Sequence, residues 1–190
     1  NCLLGHLGPG TYIILCGVLF YLYGFRAKFM DKAMLGRALF VITLVFGVTA
    51  LVAESSFTWP PQMANLHHLS LYFLLLVAAF LHYFCRVKQV LPMELNIAYE
   101  CLMFPAAGFI FTSHNHGNAM FNGFHQVMFP GLVFAGLLHY LCETATNATT
   151  VRILRGMWFG VLGTWFSHIG VGYFLYGDRG TLGKPDDEMI

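Results

Sequence analysis

The sequence predicts an all-α, polytopic transmembrane helix bundle. Three observations carry that expectation. Charged residues make up 10% of the 190-residue chain and apolar residues 57%. The apolar residues gather into runs of membrane-spanning length. The basic residues gather between alternate runs. A soluble domain carries about 25% charged residues. The shortfall follows if the solvent is lipid, because a charge at the bilayer centre is costly.

A helical span needs roughly 20 mostly apolar residues. Six runs meet that need, at 7–25, 35–53, 66–84, 95–112, 121–141 and 153–176. They are expected to be helices, because lipid offers an open strand no partner for its backbone. The first run reads as a span rather than a cleaved signal, since its basic cluster follows it. Pro105 and Pro130 fall inside the fourth and fifth runs and predict kinks. Gly156, Gly160 and Gly163 predict close helix packing by the sixth. Residues 177–190 form a polar, acidic tail, and no repeat or linker divides the chain, so one transmembrane domain is expected.

Lys and Arg set the orientation. With X the side on which the first span starts and Y its exit side, the Y segments carry Arg26, Lys28, Lys32, Arg37, Arg86, Lys88, Arg152 and Arg155. Side X has Arg179 and Lys184. The positive-inside rule makes Y cytosolic and the N-terminus luminal or extracellular. The sequon Asn147-Ala148-Thr149 then lies on the cytosolic side and is expected to be unmodified.

Composition also narrows function. A net charge of +1 gives no reason to expect nucleic acid. The bilayer is the expected partner, with other membrane proteins or a second copy of the chain as further candidates. Cys2, Cys16, Cys85, Cys101 and Cys142 show no CxxC spacing and read as small buried apolar residues. No GxxxxGK[ST], GxSxG or HExxH motif is present, so no enzyme class is assigned.

The histidines carry the functional signal. His6, His67, His68, His114, His116, His125 and His168 fall toward side X, with Glu54 beside them. His82 and His139 fall toward side Y. Neutral imidazole ligates transition metals, and a catalytic zinc uses three protein ligands and an open position. His68, His114, His116 and His125 are the candidate ligands of a ligand or metal site, with zinc the example metal. His6, His67, His168 and Glu54 form its outer members, and Glu54 or Asp178 would act as base or support. The alternative is a hydrogen-bonded network that ties helix ends together in a scaffolding protein. A third pattern competes. His68 and His82 are 14 residues apart, as are His125 and His139. Fourteen residues return to about the same helix face some 21 Å along. The two matched pairs resemble the bis-histidine sites of dihaem b-type cytochromes, with His68, His125, His82 and His139 as axial ligands. Ala78, Ala79 and Gly136 would make room for haem b near the lower pair. Glu100, inside the fourth span, is either a functional carboxylate or an interfacial one paired with Arg86 or Lys88.

Several short strings occur in one order. Gly5-His6 precedes Pro9-Gly10, and His67-His68 precedes Tyr72-Phe73. Gly108-Phe109-Ile110-Phe111 leads to His114-Asn115-His116-Gly117 and then Phe124-His125-Gln126. Gly163-Thr164-Trp165-Phe166 runs on to Ile169-Gly170. In order and spacing the chain resembles the transmembrane protein 45 family, multipass proteins sharing a domain of unknown function. The resemblance spans nearly the whole chain. It implies seven spans, the last after an acidic stretch that here is Asp186-Asp187-Glu188. It also implies residence in plasma, Golgi or endolysosomal membranes, and it brings no settled activity. His6, His68, His114, His116 and His125 match its pattern. Ala107, Asn118 and Asn122 stand where the family has Glu, Arg and Asp, and the segment before His125 is one residue shorter. His82 and His139 are not typical of it.

Overall fold

The protein is an all-α bundle in the computed structural model, which describes residues 2–25, 30–57, 63–113, 119–145, 148–172 and 175. Its helices are α1 (Cys2–Phe25), α2 (Lys32–Phe57), α3 (Met63–His82), α4 (Met93–Ser113), α5 (Ala119–Thr144) and α6 (Thr149–Gly172). Each contains most of one sequence-expected run and starts two to five residues before it. Asp31 starts α2 as its N-cap, its carboxylate accepting a hydrogen bond from the Met34 N–H at 2.6 Å. That satisfies one of the N–H groups a helix start leaves open. Pro105 and Pro130 lie inside continuous α4 and α5.

Every helix packs on its chain neighbours, and α6 closes back on α1, so the six make a ring. The α1–α6 contact is the most intimate. A Cβ on Gly156 would fall 2.5 Å from the Tyr21 nitrogen, and one on Gly163 would fall 2.6 Å from the Gly10 carbonyl oxygen. Gly10 and Gly17 answer from α1, where a Cβ would meet α6 backbone at 2.8 Å. Close backbone approach is how helices gain packing energy where lipid removes the hydrophobic drive. Gly160 differs from the expectation: its own Cβ position is open, and its contribution is to let Gly17 approach its nitrogen.

Large apolar side chains cover the outside. Leu102, Phe109, Val90 and Phe73 are each more than 60% exposed, while Arg155 is 1% exposed and Glu100 7%. A water-soluble protein does not show so much contiguous apolar surface. Lipid on the outside accounts for both facts, and the protein is a multi-pass integral membrane protein. Among the described residues, five helices are long and apolar enough to cross a membrane. The sixth expected run does form a helix, but its described part falls short of a span's hydropathy, because it includes Arg152, Arg155, His168 and several glycines. The two arginines, read from sequence as loop charges, are helical.

Past His82, α3 widens into a π-helical turn, Tyr83–Val87, in which the Lys88 N–H donates to the Tyr83 carbonyl at 2.9 Å. Gln89 then takes the left-handed conformation, φ 54°. The wide turn brings Cys85 and Arg86 into the interior. Such turns recur at functional sites. Cys16, Cys85, Cys101 and Cys142 are free thiols, as their spacing predicts.

Candidate functional site

The ring surrounds a cavity of about 160 Å³ to which all six helices contribute. Its walls are mostly apolar, with Phe20, Leu39, Ala79, Met103 and Phe166 among them. Polar groups sit at its two ends, and Tyr12 and Thr43 line it between them. His6, His68 and His125 are at the X end. His82, Glu100 and His139 are at the Y end.

At the X end, His6 from α1 and His125 from α5 meet with their Nε2 atoms 3.4 Å apart. Both rings are buried, with Phe111 stacked along His125 and Phe166 beside His6. His68 stands at the start of α3, and its Nδ1 lies 3.1 Å from Glu54 Oε1 at the end of α2. This second pair is half-buried. Tyr12 bonds Thr43 at 2.9 Å, tying α1 to α2 between the two ends.

The Y end is denser. His82 Nδ1 donates to Glu100 Oε1 at 3.1 Å, and His139 Nε2 packs against Glu100 Oε2. Arg86 reaches both carboxylates, 3.1 Å from Glu143 and 3.7 Å from Glu100. Arg155 Nη1 lies 3.2 Å from His139 Nδ1 and 3.9 Å from Glu143, with its guanidinium 3.9 Å above the Phe20 ring centre. Lys32, largely exposed, reaches Glu143 at 3.6 Å. Two buried guanidinium groups thus face two buried carboxylates. Such charges persist in a low-dielectric interior only when they compensate each other.

Donor chemistry fixes the histidine tautomers. A guanidinium only donates, so His139 Nδ1 accepts from Arg155 and the ring proton sits on Nε2, toward Glu100. A carboxylate only accepts, so His82 carries its proton on Nδ1. That leaves His82 Nε2 as an acceptor, buried and without a hydrogen-bond partner among the described residues.

The site differs from the sequence expectations in several respects. His125 and His68 line one cavity, but His125 pairs with His6 and His68 with Glu54. His6, expected in an outer role, is central. His168 is on the exposed surface of α6, and His67 does not line the cavity. His114, His116, Asn147 and Asp178 lie outside the described residues. Among the described residues no group of three or more His, Cys, Asp or Glu has metal-holding geometry. Of the pairs considered for haem, His82 and His139 both contact Glu100, and His125 and His68 contact His6 and Glu54. Ala78 and Ala79 do line the cavity, whereas Gly136 packs against α4 at the Cys101 carbonyl. The expected pairing of Glu100 with Arg86 is present.

Asn96 is an interior residue that the sequence reading passed over; Arg155 entered it only as a basic residue of side Y, and Glu143 only as an acid at the Y end of the fifth span. One signal was available. His82 and Arg86, and likewise His139 and Glu143, are four apart, which sets each pair on one helix face. No known protein-family model matches the chain.

Proposed function

We propose that this protein is a membrane-embedded binding bundle whose central cavity takes a small, mostly apolar molecule bearing a polar group. The observation that supports this reading is the central cavity, with mostly apolar walls, polar side chains at its two ends and the Tyr12–Thr43 pair between them. Small-molecule sites have this character: apolar lining with a few placed polar groups. Its 160 Å³ compares with the roughly 150 Å³ apolar cavity that takes up benzene, so phenol is a suitable probe. The test is a thermal-unfolding series in detergent. Phenol raises the midpoint by mass action, and Ala79→Leu, which adds carbons to the cavity wall, abolishes the rise. A rise that is unchanged in Ala79→Leu rejects the reading.

A second reading keeps the X end as a metal site. Two nitrogens bound tetrahedrally at 2.0–2.1 Å stand about 3.3 Å apart, and His6 and His125 stand at 3.4 Å. His114 and His116 close the same end in sequence and would complete the ligand set. Metal analysis of protein purified without chelator, compared with His125→Ala, tests this. Metal content near zero, or unchanged in the variant, rejects it. The motif order around His6, His68, His114, His116 and His125 supports assignment to the transmembrane protein 45 family, with the X end luminal or extracellular in the plasma or endomembrane system.

A further inference from the structure

A second, much smaller cavity lies below the first, between the Glu100 cluster and side Y. Its volume is about 10 Å³, near the ~10–15 Å³ that one water molecule requires. His82 belongs to the walls of both cavities, and so does His139. The two histidines are not equivalent there. His139 has its Nδ1 engaged by Arg155 and its Nε2 turned to Glu100. His82 gives Nδ1 to Glu100 and keeps Nε2 unpartnered among the described residues. That nitrogen points toward Gly36 of α2, where a Cβ would sit 3.5 Å from it. Gly36 is itself a wall of the small cavity. The other side of the small cavity is Glu143, with Lys32, whose side chain is 58% exposed, at its rim.

We infer that His82 is a proton-loading residue, reached from side Y through the small cavity past Lys32 and Glu143, and that it delivers to Glu100 at the floor of the ligand cavity. Imidazole can accept a proton at one nitrogen while releasing one from the other. One proton arrives at Nε2, carried by water in the small cavity. The Nδ1 proton, already shared with Oε1, shifts toward the carboxylate. One proton is gained and stored in the His82–Glu100 pair, and no bond between heavy atoms changes. The groups facing His82 are Glu100 from α4, Arg86 from the π turn, His139 and Glu143 from α5 and Arg155 from α6, with Lys32 of α2 and Tyr23 of α1 across the small cavity. The two guanidinium groups and the two carboxylates cancel, Lys32 at the rim leaves one positive charge, and the stored proton adds a second. Arg155 holds His139 out of the exchange. The inference does not depend on what fills the large cavity.

The test is proton uptake after a rapid acid jump, followed with an indicator dye in detergent-solubilised full-length protein, with infrared spectra of the carboxyl region. Wild type takes up one more proton than His82→Gln, and His82→Gln lacks the infrared change of Glu100. Gly36→Ala adds only a methyl at ordinary to slightly tight distances, 3.3 Å from Val87 and 3.5 Å from His82, so it retains the fold and every titratable group. It narrows the passage, and uptake slows by at least about tenfold, a modest share of what a positioned proton-transfer group contributes. His168→Gln, on the exposed surface, keeps the infrared change of Glu100. Equal proton counts in His82→Gln and wild type overturn the inference. So does wild-type uptake speed in Gly36→Ala.

Discussion

The two ends of the central cavity are built on different principles. Among the described residues, the X end shows His6 with His125 and His68 with Glu54, and the second pair is half-buried. At the Y end, side chains from α3 through α6 and the π turn lock into one network that Lys32 of α2 joins at the rim. α1 adds the Phe20 ring under Arg155. Pairs can be lost singly. A network of buried charges cannot lose a member without leaving another uncompensated. The buried ion pairs make the Y end a mechanical anchor of the bundle.

Substitutions sharpen or break that contrast, and the largest effect belongs to Arg155. Arg155→Leu leaves Glu143 with one fewer cation and His139 without its donor, and it should cost about 3–5 kcal/mol, the range for breaking a buried ion pair. Thermal unfolding in detergent reads this as a large drop in midpoint. A loss no greater than that from an X-end change would erase the distinction between the ends.

The α1–α6 seam comes next. Gly156→Ala forces a Cβ to within 2.5 Å of the Tyr21 backbone, and overpacking of this kind costs about 1–3 kcal/mol. Gly160→Ala meets nothing within 4 Å and should be neutral or gain up to ~1 kcal/mol from helix propensity. Equal behaviour of the two variants would show that close backbone contact does not hold the seam. The smallest effect is expected at the X end. His68→Gln weakens the half-buried pair with Glu54 and should cost about 1 kcal/mol, again read from the unfolding midpoint.

The same contrast explains what the sequence made legible. The helices were readable because lipid imposes an apolar run of fixed length on each. The histidines at the X end were readable as a group because they sit at span ends, where depth follows from chain position. The Y network was harder to read. Arg86 and Arg155 were counted as loop charges for orientation, yet the π turn carries Arg86 inward and α6 places Arg155 on its α1-facing, glycine-lined side. Removing those two still leaves six basic residues on side Y against two on side X, so the charge bias survives. The matched spacing of His82 and His139 with His68 and His125 was a real regularity. Its meaning differed, because Glu100, on a third helix, stands between the lower pair. Spacing along two helices carries no information about what a third inserts between them.

The central claim is that the central cavity binds a small amphipathic molecule. The most direct measurement is ¹⁹F NMR of 4-fluorophenol with the purified protein in detergent, alongside Ala79→Leu and empty micelles. The account predicts a saturable, shifted or broadened resonance with wild type that unlabelled phenol displaces and that Ala79→Leu lacks. A signal identical in wild type, Ala79→Leu and micelles alone would contradict it.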